Sequence, residues 1–263
     1  MIYISDALVA TLPEGDQPLT HARIGYHNIA FGKTPTASSA AVGFPAIAAS
    51  YETTFEFWRP VGLPATWAID NTTPVECDYA GVVGSIIGCT IRVQSSDDGV
   101  VWTTHMEAAA EYRVAMLLFP RVTAQYWRVV FDTVNPDVAV IYIGKALAMQ
   151  RAIYQGHSPL TLSRVTELSN NISQGGQYLG RSVERMGNEC DASWSHLKAA
   201  WYRENFDPFV IAAQTKPFFF AWRPLSFPKE VGYMWTGGDI KPVNSGPRDF
   251  MSVSLPMSGI GVE

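Results

Sequence analysis

Hydrophobic and polar residues alternate along short stretches in the first half of the chain. The alternation is clearest in IRVQSS (residues 91–96) and in WRVVFD (residues 127–132). A period of two residues is typical of a β-strand that buries one face. Turn signals separate these stretches, and no amphipathic helix lies between them, so the pattern predicts an antiparallel sandwich or barrel. The strand-like segments lie at residues 53–58, 83–96, 112–119, 126–134 and 138–149.

The pattern changes near residue 150. Residues 155–189 are polar, and Gly175-Gly176 within them predicts a hairpin turn between two moderately apolar segments. Further strand-like segments follow near the end of the chain, at residues 209–214, 217–224, 231–237 and 249–260.

One helix is predicted between these regions, over residues 192–206. Trp194, Leu197 and Trp201 would share one face of it, Ser193 would be its N-cap, and Asp207-Pro208 would end it. The aromatic face is interpreted as a packing surface.

These patterns divide the chain into three parts. Residues 1–26 form an N-terminal strand or arm that could pack on the C-terminal domain. Residues 27–150 form a first β-sandwich, and residues 151–263 form a second β domain that carries the helix. The predicted fold class is therefore mainly β, with a first sandwich and a second β domain.

Two acidic residues precede a glycine in IRVQSSDDGVVWTT (residues 91–104), which could indicate a cation site or a hairpin turn. Asp98-Gly99 is a strong hairpin signal because both residue types tolerate positive φ angles. A calcium loop needs further oxygen ligands at set intervals, and none follow. We therefore favour the turn, with a strand resuming over residues 100–103.

Several motifs in the first half occur in a characteristic order. They are NIA (28–30) with ASS (37–39), WAID (67–70), Asp78 in CDYAG (77–81), IRVQSSDDGVVW (91–102) and YWRVVF (126–131). This order resembles the discoidin, or F5/8 type C, family of galactose-binding-like β-sandwiches, over about residues 27–145. The chain lacks the cysteines with which secreted members usually join the ends of the domain. The ligand loops of that family cannot be matched, so the resemblance transfers no binding residue.

The second half is similar to the tail-tube-like domains of baseplate and distal tail proteins of tailed phages. The resemblance rests on the order of helix 192–206, PFVIAAQTKPFFFAWRP (208–224), YMWTGGDIKPV (233–243) and FMSVSLPMSGIG (250–261). It implies a second small β-sandwich with one helix. It also implies a structural virion protein of a long-tailed phage that forms a ring, with a hexamer favoured. Its partners would be other copies of itself, the tail tube and the baseplate hub, and it would be located at the tail tip after assembly in the host cytoplasm.

A second hypothesis is a carbohydrate- or surface-binding module on an oligomerising domain, with a host surface glycan as the partner. Exposed aromatic side chains would stack on the sugar, and the candidates are Tyr51 and Trp58. Trp67 occupies the position of the usual core tryptophan of the discoidin family and is expected to be buried. The candidates for an interface between copies are Phe218, Phe219, Phe220, Trp222 and Trp235.

Composition agrees with a subunit held between partners. Of the 263 residues, 47% are hydrophobic, 12% are aromatic and only 16% are charged. The formal net charge is −5 and no basic cluster is visible, which argues against nucleic-acid binding. The N-terminus does not resemble a signal peptide, and no apolar run approaches the roughly 20 residues of a membrane span.

The sequence contains no catalytic motif, such as GxSxG, HExxH or a phosphate-binding loop. Its five histidines are isolated from one another and from the three cysteines, so neither a metal nor a cofactor is expected. Carboxylate pairs such as Glu107 with Glu111 are interpreted as solvated faces, so the chain is predicted not to be an enzyme, and a glycan hydrolase ranks third among the hypotheses. The cysteines form no disulfide framework and are expected to be reduced, with a Cys77–Cys89 bridge as the alternative.

Overall fold

The structure is a computed structural model that describes residues 1–10, 17–153, 157–246 and 248–261. In this part of the chain the strands form a seven-stranded and an eight-stranded sheet, which confirms the predicted mainly β class. The first sheet contains β1 (Ile2–Ile4), β3 (Thr36–Ala37), β4 (Ala65–Ser85), β5 (Thr90–Ser96), β6 (Thr103–Ala109), β7 (Val114–Asp132) and β8 (Asp137–Gly144). The second contains β2 (Arg23–Gly25), β9 (Leu147–Ala148), β10 (Arg164–Ile172), β11 (Tyr178–Lys198), β12 (Phe218–Ala221), β13 (Val231–Thr236), β14 (Val243–Ser245) and β15 (Phe250–Ile260).

The helical segments are short. They are α1 (Asp6–Ala10), a 3₁₀ helix (Ala46–Ser50) and a continuous segment made of α2 (Ala199–Trp201), a π-helical turn (Tyr202–Phe206) and α3 (Asp207–Ala213). No helix among the described residues is long and apolar enough to cross a membrane.

The first sheet folds into a sandwich because its two longest strands bend. β4 and β7 pair antiparallel along most of their lengths, with register shifts between Asp70 and Val75 and between Cys77 and Tyr79. Beyond the bend, β8 pairs with β4, whereas before it β5 pairs with β7. The inner faces of both halves share one core, which includes Trp67, Cys77 and Trp127. The structure thus has the antiparallel sandwich that the alternation predicted.

Strand β12 of the second sheet is covered on both faces. On one face, Phe218 and Phe220 of β12 pack in a core with Phe206 and Phe209 of the helical segment. On the other face, Phe219 packs in a core shared with the first sheet. Successive side chains of a strand point to opposite faces, so three consecutive phenylalanines are all buried.

The joint between the two sheets is close-packed. Gly81 of β4 leaves room for the Phe219 ring, because an ideal Cβ at residue 81 would lie 2.4 Å from Phe219 Cε2. Two tyrosine hydroxyls also form hydrogen bonds between the two domains. The hydroxyl of Tyr142 donates to the carbonyl oxygen of Pro217 at 3.1 Å, and that of Tyr233 donates to the carbonyl oxygen of Glu52 at 2.7 Å.

The helix predicted over residues 192–206 is wrong in its first half and at its end. The helical segment continues through Asp207-Pro208 to Ala213, so the strand predicted over residues 209–214 is also wrong. Residues 192–198 belong to β11 and pair with β15, and the helical segment begins at Ala199. In the strand, Ala192 and Trp194 are buried in the core, whereas Ser193 between them and Ser195 after them are half-buried, which is a period of two. The sequence allows both a helical spacing and a strand period of two, and pairing with β15 selects the strand.

The N-terminal arm divides between the two sheets. β1 pairs in parallel with β7 of the first sheet, and β2 pairs with β12 of the second. β9 pairs with β2, so residues 147–148 belong to the second sheet although they precede the predicted domain boundary at residue 150. The sequence PEGD (residues 13–16) also predicts a turn, which lies outside the described residues.

Both predicted hairpins form. β10 and β11 pair antiparallel on either side of a turn in which Gly176 has a φ of +80°. β5 and β6 pair antiparallel around Gly99, which has a φ of +74°. The second loop is longer than predicted, since β6 begins at Thr103 rather than at Val100.

Candidate functional site

A cleft of about 560 Å³ lies on the outer, polar face of the first sheet. β4, β7 and the loop between β5 and β6 supply most of its lining, including Asp70, Trp102 and Tyr126, and Lys33 closes one side. The cleft thus combines two aromatic rings, a carboxylate and an ammonium group.

The alternation of the strands places these side chains. On β7, Trp127 is buried in the core, so its neighbours Tyr126 and Arg128 point outward. Ile69 of β4 is buried in the same way, which turns Asp70 outward. The residues that face the cleft are therefore the polar half of the same pattern that predicted the strands.

Trp102 is held in place by a cation–π contact. The guanidinium carbon of Arg128 lies 4.0 Å from the centre of the Trp102 ring. Arg128 Nε donates to Gln94 Oε1 at 2.7 Å, and Gln94 Nε2 donates to Thr104 Oγ1 at 2.7 Å. Burial and the nearby Arg92 lower the pKa of the Arg128 guanidinium. This chain of contacts limits the positions that the half-buried indole can adopt.

A turn before Trp102 brings the ring over the sheet. Asp98 Oδ1 accepts hydrogen bonds from the backbone N–H groups of Val100 and Val101, at 2.8 and 2.9 Å, and from Ser96 Oγ. These three bonds lower the pKa of Asp98. Both backbone bonds are typical of an Asx turn, which supports the interpretation of Asp98-Gly99 as a hairpin turn rather than a cation site.

Asp70 carries the negative charge of the cleft. Its Oδ1 accepts hydrogen bonds from Gln125 Nε2 at 2.9 Å and from the backbone N–H of Thr72 at 2.7 Å. These bonds lower the pKa of Asp70, so the exposed group is ionised at neutral pH. Lys33 Nζ donates to Asn71 Oδ1, which keeps the ammonium group beside the carboxylate.

The predicted stacking residues lie elsewhere. Trp58 is fully buried, and its Nε1 donates to the carbonyl oxygen of Ser39 at 2.8 Å, so it cannot stack on a ligand. Tyr51 is 43% exposed and follows the 3₁₀ helix. Trp67 is fully buried, as expected from the resemblance, and donates to the carbonyl oxygen of Ala46.

The predicted interface residues divide into two groups. Phe218, Phe219 and Phe220 lie inside the chain's own cores, so they are not available to a second copy. The physical reason is that both faces of β12 are covered within one chain. Trp222 is half-buried and stacks on Phe227 at 4.9 Å, whereas Trp235 is 43% exposed.

Cys190 and His157 are neighbours but are not set up as a catalytic pair. Cys190 Sγ lies 3.6 Å from His157 Nδ1 and donates to the carbonyl oxygen of Ser158 at 3.1 Å. Burial raises the pKa of Cys190 to about 12, and burial together with Arg223 lowers the pKa of His157 to about 4. A reactive thiolate needs the opposite shifts. Cys77, Cys89 and Cys190 are all buried free thiols.

A second cleft, of about 610 Å³, lies at the joint of the two sheets, and its charges neutralise one another. Glu76 Oε1 lies 2.6 Å from Lys145 Nζ and 3.4 Å from Arg121 Nε. Asp78 Oδ1 accepts a hydrogen bond from the backbone N–H of Ala146 at 2.7 Å. Within the described ranges, no group of three or more His, Cys, Asp or Glu side chains could hold a metal ion.

Trp102, Tyr126 and Arg128 were not predicted as site residues from the sequence. Trp102 and the YWRVVF strand were interpreted only as features of the fold. The positions of Tyr126 and Arg128 on the polar side of the alternation could nevertheless have predicted that they lie at the surface. An aromatic or charged residue on the polar side of an alternating strand is placed at the surface by the same periodicity that buries its neighbours.

Comparisons with known proteins give similarities of structure. A scan against protein-family models finds no match, and a search of curated proteins finds none. Among solved structures, chitosan-binding module 1 of a chitosanase/glucanase from Paenibacillus sp. IK-5 is 23% identical, with a TM-score of 0.40 over 44% of this chain and 98% of the module.

Two further solved structures are similar to a comparable share of this chain. The CBM32 of AlyQ, in complex with 4,5-unsaturated mannuronic acid, is 12% identical, with a TM-score of 0.37 over 42% of this chain and 92% of that one. A family 89 glycoside hydrolase from Clostridium perfringens is 16% identical, with a TM-score of 0.40 over 49% of this chain and 16% of the hydrolase.

Proposed function

We propose that the chain is a non-catalytic binding protein whose first domain holds a saccharide in the cleft beside Trp102. The observation that carries the proposal is the combination of two half-buried aromatic rings, Trp102 and Tyr126, with the charged groups of Asp70 and Lys33 around one cavity.

The chemistry of a sugar fits this combination. The C–H groups on one side of a pyranose ring form an apolar patch that packs against an aromatic ring. Its hydroxyl groups donate to a carboxylate such as Asp70 and accept from an ammonium such as Lys33. Because Arg128 restrains Trp102 before a ligand arrives, little conformational entropy is lost when the sugar binds.

Glycan-array binding with matched aromatic variants tests this proposal. We expect Trp102→Ala to weaken binding about 5- to 30-fold, equivalent to about 1–2 kcal/mol. Trp102→Phe, which keeps a ring, should lose less. Tyr51→Ala is the matched control, because it removes an exposed aromatic ring outside the cleft and should leave binding unchanged.

Two outcomes contradict the proposal. An array with no specific signal from the unmodified chain removes saccharide binding altogether. Loss of binding in Tyr51→Ala with retention in Trp102→Ala places the site beside the 3₁₀ helix instead.

The second candidate is a structural component of a tailed-phage virion, at the distal tail or baseplate. The observation that favours it is a hairpin, β10–β11, whose large apolar side chains are exposed in the single chain. Such a surface suits a subunit that is permanently covered in an assembly. The two candidates are compatible, because a subunit of a tail tip can also touch a glycan on the host.

Genomic context and electron microscopy test this second candidate. We expect a tape-measure protein and a large hub protein to be encoded beside this chain, and co-production with them to give tail-tip particles that contain it. Neighbouring genes without any tail function, together with particles that lack the chain, would contradict the assignment.

A further inference from the structure

The cleft of about 610 Å³ at the joint of the two sheets, here called the joint cleft, is lined from both domains. Glu76 and Asp78 of β4 line it from the first domain. Tyr26, which follows β2, and Trp201 and Asn205 of the helical segment line it from the second domain. The joint cleft therefore exists only because the two domains are packed together.

A π-helical turn presents polar side chains to the joint cleft. Tyr202 and Phe206, at the two ends of this turn, are buried in the core. Glu204 and Asn205 lie between them and line the cleft. A π-helical turn inside a helix is rare and is frequent at functional sites. The turn is thus an indication of ligand binding that is independent of the cavity itself.

The wall from the first domain contains an irregular strand pairing. The register of β4 and β7 shifts between Cys77 and Tyr79, which are both buried. Asp78 between them is half-buried and lines the joint cleft. A β-bulge of this kind aims a side chain in a new direction, and such bulges are over-represented next to functional sites.

The charges around the joint cleft are balanced. Three basic and three acidic side chains line it, namely Arg23, Arg121, Lys145, Glu76, Asp78 and Glu204. Glu76 Oε1 lies 2.6 Å from Lys145 Nζ and 3.4 Å from Arg121 Nε, so these two cations already have an acidic partner. Burial and Lys145 lower the pKa of His27, which keeps the imidazole uncharged at neutral pH. The cleft therefore favours neither an anion nor a cation.

Donors and acceptors without partners surround two aromatic rings in this cleft. Tyr26 and Trp201 are half-buried, and the Tyr26 ring packs edge-on against Phe209 at 5.4 Å. Burial raises the pKa of Tyr26, so its hydroxyl keeps the proton. Among the described residues, none forms a hydrogen bond with the Tyr26 hydroxyl, the Trp201 indole N–H or the Glu204 carboxylate. Polar groups in a half-buried cleft need partners from a ligand or from water.

We propose that the joint cleft is a second saccharide site, which holds an uncharged sugar against Tyr26 and Trp201. The aromatic rings pack on the C–H groups of the sugar, and its hydroxyls accept from Tyr26 and donate to Glu204. The inference goes beyond the cleft beside Trp102 and stands without it, because among the described residues none lines both clefts.

The same groups disfavour other classes of ligand. A phosphate or carboxylate requires cations that are free to pair with it, whereas Lys145 and Arg121 pair with Glu76. A fully apolar ligand would leave the Tyr26 hydroxyl and the Glu204 carboxylate desolvated without partners, which is unfavourable. A ligand with many hydroxyl groups and an apolar face satisfies both requirements.

A glycan array that carries charged and uncharged glycans provides the first test. Tyr26→Phe removes only the hydroxyl and keeps the packed ring. Tyr178→Phe is the matched control, because it removes the hydroxyl of a tyrosine that is 65% exposed and lies outside the cleft. Trp102→Ala inactivates the cleft of the first domain.

We expect a set of uncharged glycans whose binding persists in Trp102→Ala and in Tyr178→Phe. Binding of this set should weaken about 2- to 10-fold in Tyr26→Phe, which corresponds to the loss of one hydrogen bond. The melting temperature of Tyr26→Phe should stay unchanged, because the hydroxyl has no partner among the described residues.

NMR of the full-length chain labelled with 5-fluorotryptophan locates the bound sugar. The resonances of Trp201 and Trp102 are assigned from their loss in Trp201→Phe and Trp102→Phe. Titration with the strongest uncharged glycan that Trp102→Ala retains should shift the Trp201 resonance and leave the Trp102 resonance in place.

Three outcomes overturn the inference. They are an array on which Trp102→Ala retains no uncharged glycan, retained binding that Tyr26→Phe does not weaken, and a Trp201 resonance that does not move. The proposal for the first domain fails separately: if Trp102→Ala weakens no glycan while the Trp201 resonance shifts, the joint cleft binds the sugar and the cleft beside Trp102 does not.

Discussion

Gly81→Ala tests whether the two sheets are packed as tightly as the structure indicates. Gly81 lies in the middle of β4, opposite the Phe219 ring of β12. A Cβ at residue 81 would lie 2.4 to 2.6 Å from three carbon atoms of that ring. Carbon atoms do not approach this closely, so the phenylalanine or the sheet must move.

The expected cost follows from the packing on both sides. Phe219 is fully buried, and Tyr142 and Tyr233 lie 5.5 and 5.1 Å from its ring centre, so the ring has little room to rotate away. Overpacking of this kind costs about 1–3 kcal/mol. For a chain of this length each kcal/mol shifts the melting temperature by about 2–4 °C, so we expect a decrease of about 2–12 °C.

Thermal unfolding followed by circular dichroism provides the measurement. The matched control is Gly62→Ala, because a Cβ at residue 62 meets no atom within 4 Å, and its melting temperature should stay unchanged. In the double variant Gly81→Ala with Phe219→Leu, the smaller leucine leaves room for the added Cβ. The double variant should therefore lose less free energy of unfolding than the sum of the two single variants. A melting temperature of Gly81→Ala equal to that of the control, or strictly additive changes, would refute the packing argument.

Two further predictions concern the turn before Trp102 and the dependence of stability on pH. Gly99→Val should destabilise the chain by about 1–2 kcal/mol, because a β-branched residue is strained at a φ of +74°. Asp97→Asn should leave the melting temperature unchanged with or without calcium, since the turn bonds are made by Asp98, and a calcium-dependent change in Asp97→Asn would contradict this. His157, with a pKa lowered to about 4, is uncharged in the folded chain, whereas the unfolded chain binds a proton below about pH 6.5. The contribution of His157 to stability is therefore present above that pH and is lost as the pH falls toward 4. His157→Phe should lose about 1–2 kcal/mol less stability on acidification than the unmodified chain, a value that allows for solvent screening of the half-buried ring. Urea unfolding of both chains at pH 7 and pH 4.5 provides the check, and an identical pH dependence would contradict the prediction.

Local patterns in the sequence determined the β class and several strand positions. The alternation in β5 and β7 reports which side of a strand meets a core, and it does so without knowledge of the partner strand. Gly99 and Gly176 predicted turns because positive φ angles are a property of the single residue. The polar side of the same alternation contained Asp70, Tyr126 and Arg128, but it could not indicate that they converge.

The tertiary structure decided features that depend on what covers each surface. Trp194 and Leu197 fit a helical spacing, yet pairing with β15 made their segment a strand. Phe219 became a core residue rather than an interface residue because a second layer lies over β12. The cleft formed because distant segments bring Lys33, Asp70 and Trp102 together. The uncovered hairpin could likewise be recognised only once the rest of the chain was in place, because burial is a property of the whole fold.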